Sequence, residues 1–188
     1  MYLGTMKLGQ RWVEQIAPSR EPEAWIPVVN EISSGSCCKY RLDKVTGQLS
    51  LARALPRDVC YPANYGFVPH TRSKADDEEL DILVLSGEPI LPLTVLRARL
   101  VGGFAETASD EDDPEDRLLA VAIDDANVAD IRCLADVDEK RREAIENFVR
   151  TYKQNEGVHV SFDGWYDRDI AVDRLKRGFK RAKRRPPK

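Results

Sequence analysis

Before residue 138 the apolar positions come in short stretches, alternating with polar ones over 94–101 and continuous over 82–85 and 118–123, and after it they shift to a helical period. Two-residue alternation predicts half-buried strands, because successive side chains of an extended backbone point to opposite faces. The stretches 39–42 and 48–53 read as two strands around a DKVTG turn, a hairpin by its length and its glycine. DILVL (81–85) reads as a short buried strand and TVLRARLV (94–101) as a half-buried one. The stretches 118–123 and 158–162 read as two more. VCYPANYGFVPH (59–70) is aromatic and punctuated by Pro62, Asn64 and Gly66, which predicts irregular backbone held by rings. Residues 138–154 repeat instead at 3.6, with Ala144, Ile145, Phe148, Val149 and Tyr152 on one stripe and Gly157 as the stop. A last helix over 167–183 turns Ala171, Leu175, Phe179 and Ala182 inward. Strands first and helices after predict the α+β class with a β-barrel-like core.

Length and composition set limits on this picture. A chain of 188 residues is one domain with arms. Residues 1–27, with three prolines and no clear period, read as an N-terminal arm anchored by Trp12 and Trp25. Residues 28–183 form the body and 184–188 a basic tail. The longest apolar run is six residues, 118–123, against the roughly 18 needed to span a membrane. MYLGTMKLGQRW carries no secretory apolar stretch, so a cytoplasmic protein is expected. The cysteines, at 37, 38, 60 and 133, lack zinc spacing. They are expected to be reduced thiols, with Cys60 a buried small hydrophobe. His70 and His159 lie far apart and receive no role.

Charge adds the first chemical hint. The chain carries net −3, but residues 174–188 hold nine Lys or Arg and no acid, which leaves −12 on residues 1–173. Two clusters concentrate the acids: DDEELD (76–81), with five in six residues, and ETASDEDDPED (106–116), with seven in eleven. Crowded carboxylates repel one another and are relieved by cations. Asp76, Glu78 and Asp81, just before a rigid strand, could converge on one point, and oxygen-only donors select Mg²⁺, Mn²⁺ or Ca²⁺. No EF-hand pattern is present. Lys39, Arg53, Arg117 and Lys153, with Tyr61, Tyr65 and Tyr152 nearby, add the cations and phenols that phosphoryl transfer uses around an anion.

YPANYGFVPHT followed by DDEELDILV, the second acidic loop, the FVRTYKQ helix and the DGW after it together resemble the family I soluble inorganic pyrophosphatases. The resemblance spans about residues 28–182. It implies a compact five-stranded OB-like β-barrel flanked by two main helices, and Mg²⁺-dependent hydrolysis of pyrophosphate, with Mn²⁺ as a possible substitute. By the same resemblance Glu31, Asp76, Asp81, Asp110 and Glu115 hold metal and Glu78 is the general base with Tyr65 near it. Lys39, Arg53, Arg117, Tyr152 and Lys153 bind phosphate, and Tyr61 is the other tyrosine of the aromatic block. The partners implied are pyrophosphate and further copies of the chain, with neither nucleic acid nor membrane. The chain departs from the family pattern at four places. Glu78 and Glu115 replace aspartates, Arg117 replaces a lysine, and Arg41 stands where the family commonly has a glutamate. These departures motivate a rival reading, a fold relative with weakened catalysis. A second rival, a single-strand nucleic-acid binder, rests on the small barrel, the aromatics and the basic tail, and the −12 body opposes it.

Overall fold

The computed structural model describes residues 12–111 and 113–184. In chain order its strands are β1 (Ile26–Ile32), β2 (Cys38–Leu42), β3 (Leu49–Ala54), β4 (Asn64–Val68), β5 (Leu80–Leu85), β6 (Val95–Ala108), β7 (Glu115–Ala122) and β8 (Val160–Asp167). The α-helices are α1 (Glu139–Thr151) and α2 (Arg168–Arg184). The large sheet runs β1-β4-β5-β7-β6, and β6 returns to β1, so five strands close a ring with β8 added on β6. Closure leaves no free edge within the ring. β5 and β7 run parallel, with Ile82 beside Leu118, and the other pairs are antiparallel.

The apolar stretches of β5 and β7 are continuous because both faces are covered. Leu83, Leu85, Leu119 and Val121 pack in one cluster with Ile145, Phe148 and Val149 of α1. The alternate residues Ile82, Val84, Leu118 and Ala120 pack in a second with Ala171, Val172 and Leu175 of α2. Each fully buried aliphatic side chain contributes about 1.5–3 kcal/mol. Asp138 caps α1 by accepting the amide of Arg141 at 3.0 Å. After α1 a short 3-10 turn, Gln154–Glu156, ends at Gly157 with φ of 70°. Arg181, Lys183 and Arg184 close α2, where positive charge suits the helix dipole. Ala144, expected on the buried stripe, is exposed.

Several expectations need correction. The block 59–70 contains a true strand, β4, in place of wholly irregular backbone. Buried Asn64 makes this possible. Its amide donates to Val84 O (3.2 Å) and Ser86 Oγ (2.7 Å), and its oxygen accepts the amides of Ser34 (3.1 Å) and Ile90 (2.8 Å). Gly66 sits opposite Asn30 of β1 so closely that a Cβ there would lie 1.9 Å from Val29 O. Both residues had read as breakers, yet both serve strand pairing. Ile26 and Pro27, assigned to the arm, open β1; Trp12 and Ile16 pack on the cluster of Val13, Val29, Leu42 and Phe67. Residues 1–11 of the arm and 185–188 of the tail lie outside the described residues. β6 is longer than its alternation suggested, because one half pairs with β1 and the other with β8. Cys37 and Cys60 are joined in a disulfide, in place of the expected free thiols, while Cys38 and Cys133 are free. The pairing follows from tertiary proximity: Tyr61 N–H donates to Ser36 O at 2.9 Å and Gly35 N–H to Tyr61 O at 2.8 Å, which brings the two segments side by side. Among the described residues, no helix is long and apolar enough to cross a membrane.

Candidate active site

Strand alternation carries the polar side chains to the end of an apolar stripe. Asp81 shares a face with Leu83 and Leu85, and Glu115 and Arg117 share one with Leu119 and Val121. The parallel register of β5 and β7 then sets Asp81 beside Arg117. From β6, Glu106 joins them on the face that buries Phe104.

Asp81, Glu115 and Arg117 line one wall of a cleft of about 420 Å³, and buried Glu106 supports that wall through Arg117. Arg117 is its centre. Its guanidinium pairs with Asp81 and Glu115 and with Glu106 at 2.9 Å. Tyr65 donates its hydroxyl to Asp81 at 2.6 Å, and Tyr152 donates to Glu106 at 3.0 Å. Burial alone would lower the Arg117 pKa, but the carboxylates of Asp81, Glu106 and Glu115 around it help to raise it well above the usual value. Burial drives the phenols of Tyr65 and Tyr152 upward, and their carboxylate neighbours add to that, so both remain protonated donors. Burial likewise raises Glu115 against the opposing pull of Arg117.

The opposite wall is the β2–β3 hairpin. Its turn is built by Asp43, which accepts the amides of Val45 (2.8 Å) and Thr46 (3.0 Å), and by Gly47 at φ of 74°. Lys39 lies across from Arg53. Burial lowers the Lys39 pKa, and the neighbouring Arg53 charge lowers it further. Glu31, nearly buried on β1, accepts the Leu42 amide at 2.8 Å and so ties this wall to the barrel. Desolvation pushes its carboxyl up to about 7, against that hydrogen bond and with the Asp81 charge helping. Lys44, in the turn, reaches over the Phe67 ring (4.8 Å) to the first acidic loop, bonding Glu78 at 2.8 Å and Glu79.

Most residues singled out from the sequence line this one cleft: Glu31, Lys39, Tyr65, Asp76, Glu78, Asp81, Glu115, Arg117, Tyr152, Lys153 and the departure Arg41. Arg53 stands just behind the lining, paired with Glu156 and stacked over the Tyr152 ring at 5.9 Å. Tyr61 is buried beneath, 5.4 Å from the Tyr65 ring and 4.6 Å from that of Phe148. Asp110 is exposed and outside the lining; Glu111, one residue on, takes the place in the cleft and bonds Lys153 at 3.1 Å. Three participants had escaped sequence reasoning: Glu106, Lys44 and Glu111. The signal for Glu106 was an acid in phase with Phe104 and Ala108 on the buried face of its strand. Nothing local marked Lys44, since its partners are more than 30 residues away.

The donors facing the cleft are all oxygens, which fits a hard divalent cation. Glu31, with its desolvated carboxyl, is a group such a cation would compensate. Among the described residues no three of these acids are gathered closely enough to hold a metal ion as they stand. Asp81 and Glu115 are turned onto Arg117, and Glu78 onto Lys44.

A ring of five strands with a helix against each of two apolar faces, and a cleft of carboxylates, cations and phenols at one end, defines a class for which sequence relatives exist. The inorganic pyrophosphatase family profile matches residues 28–183, and the chain belongs to that family. It is 35% identical over 174 residues to the inorganic pyrophosphatase of Aquifex pyrophilus, covering 91% of this chain and 97% of that one. It is 38% identical over 138 residues to a soluble inorganic pyrophosphatase of Zea mays, covering 73% of this chain; it spans only 63% of that longer plant protein. The crystal structure of the inorganic pyrophosphatase from Thermus thermophilus superposes with a TM-score of 0.84 at 30% identity, covering 91% of this chain and 98% of that one. Membership of the family implies a divalent metal cofactor.

Proposed function

We propose that the chain hydrolyses inorganic pyrophosphate to two phosphates in the presence of Mg²⁺, with Mn²⁺ as a substitute. The observation that carries this reading is the composition of the cleft: seven carboxylates and five Lys or Arg line one hollow in a fold whose relatives are named for that activity. A dianionic or more highly charged substrate with divalent cations needs both signs of charge at close quarters.

Glu31, Asp76, Asp81 and Glu115 are the residues that would hold the ions, with Glu111 in the place that the resemblance gave to Asp110. When bound, such ions neutralise phosphate oxygens and lower the pKa of water from ~15.7 toward ~7. Glu78 accepts the proton of the attacking water, and Lys44 at 2.8 Å orients its carboxylate. Tyr65 fixes Asp81 by its hydroxyl. The water oxygen bonds to one phosphorus in line as the bridging P–O bond breaks. Lys39, Arg53, Arg117, Tyr152 and Lys153 stabilise charge on the departing phosphate, and Tyr152 can only donate because its phenol stays protonated. No covalent intermediate is needed.

Asp81→Asn is expected to abolish Mg²⁺-dependent phosphate release while the far-UV spectrum and a cooperative thermal transition persist. Near-normal release from that variant, or none from the parent chain, overturns the proposal.

A further inference from the structure

The cleft's cations divide into two kinds. Arg117 is held by three carboxylates, Lys44 by two, Lys153 by Glu111, and Arg53, just behind, by Glu156. Lys39 and Arg41 both line the cleft, and among the described residues neither side chain has a hydrogen bond or ion pair. They occupy alternate positions of β2, so their side chains leave the same face. At the usual strand rise they stand roughly 6.6 Å apart along the strand. Lys39 is half-buried on the inner side, whereas Arg41 is exposed, one step nearer the hairpin tip. Two like charges on one face repel, and an anion seated across them removes that repulsion. Burial and Arg53 depress the Lys39 ammonium most, Asp81 opposes them, and Arg117 and then Arg41 add smaller depressions.

Two phosphoryl groups held inside the cleft would engage Lys39 together with Arg53, Arg117, Tyr152 and Lys153. Arg41 lies beyond that set, at the mouth. Its planar fork suits the oxygens of a further phosphoryl group, and its exposure lets that group reach it from solvent. We propose that Arg41 is a specificity-determining residue which, with Lys39, forms an outer phosphoryl subsite, so that the cleft holds linear inorganic polyphosphate of three or more groups more tightly than pyrophosphate. This rests on the pyrophosphatase reading for the position of the inner two groups.

The test is titration calorimetry with sodium tripolyphosphate and with sodium pyrophosphate, both in EDTA, so that no turnover intervenes. The unaltered chain is expected to bind tripolyphosphate about tenfold more tightly, the size of one exposed charge-assisted contact. Arg41→Gln should erase that preference and Arg41→Glu should invert it, with pyrophosphate affinity changed by about twofold or less in the Gln variant. Lys39→Gln should weaken both anions, which probes the inner site separately. A preference that survives in Arg41→Gln, or a parent chain with no preference or no measurable tripolyphosphate binding, overturns the subsite. Failure of the enzymatic reading would appear elsewhere, as absent Mg²⁺-dependent phosphate release, and leaves the calorimetric comparison readable.

Discussion

The barrel wall of the cleft and the hairpin wall facing it carry the same kinds of side chain under different constraints. On the barrel side, Asp81, Glu106, Glu115, Arg117 and Tyr65 occupy strand positions and Tyr152 the C-cap of α1, their neighbours are core residues, and each has at least one partner among the others. On the hairpin, Lys39 and Arg41 have no such partner among the described residues, while the wall is held to the rest of the fold by Leu42 packed on Val29 and Phe67, the Glu31–Leu42 hydrogen bond, the Lys44 contacts, the Arg53–Glu156 pair and the Cys37–Cys60 disulfide. The difference teaches that one cleft can keep a preorganised pole and an open one. Buried ion pairs must be complete, since a lone buried charge is costly, whereas half-buried Lys39 and exposed Arg41 keep enough solvent to wait for a ligand.

The comparison breaks most visibly at Arg117. Arg117→Met leaves three carboxylates without their counter-charge in a nearly buried place, and is expected to cost about 3–5 kcal/mol of stability, read by urea unfolding. If the loss is within a few tenths of a kcal/mol, the barrel wall is not held by that network. Next comes the link on the other side. Cys37→Ser opens a loop of 23 residues' separation, and by chain entropy should cost about 3 kcal/mol under oxidising conditions. Under strong reductant the variant and the parent should unfold together; a difference that persists there assigns the effect to the side chain and not to the cross-link.

The last effect appears only over part of the pH range. Burial raises Glu31 from the usual carboxylate value to about 7 in the folded chain. Between about pH 4.5 and 7 the folded state therefore binds more protons than the unfolded one, and stability falls as pH rises through that window. In EDTA, Glu31→Gln should unfold like the parent near pH 4.5 and be the more stable at pH 8, by up to about 3 kcal/mol. A stability difference that does not change between those two pH values removes the desolvated carboxylate from the account.

Much of this was written along the chain. The short continuous apolar run of DILVL and the period of 3.6 in 138–154 marked β5 and α1, because a strand covered on both faces and a one-sided helix leave those patterns whatever the fold around them. The DKVTG turn was equally legible, since Asp43 and Gly47 shape it through contacts a few residues away. The two acidic clusters, read with the aromatic block, pointed to the cleft before any strand was placed. Where the reading slipped, the deciding partner was distant. Asn64 and Gly66 looked like breakers until Val84, Ser86, Ile90 and the close backbone of β1 were there to receive them. Glu111 and not Asp110 faces the cleft because a turn of one residue in an exposed loop is not specified by composition.

The chain alone therefore determined which residues are chemically able to act: the oxygens, the cations and the phenols, and the periodic elements that carry them. Only the tertiary structure decided which acids neutralise Arg117, that Cys37 meets Cys60, and that Lys39 and Arg41 line the cleft without a hydrogen bond or ion pair among the described residues. Periodicity and turn chemistry are local and act over a few residues, whereas charge pairing and cross-linking act through space between segments that the ring of strands brings together.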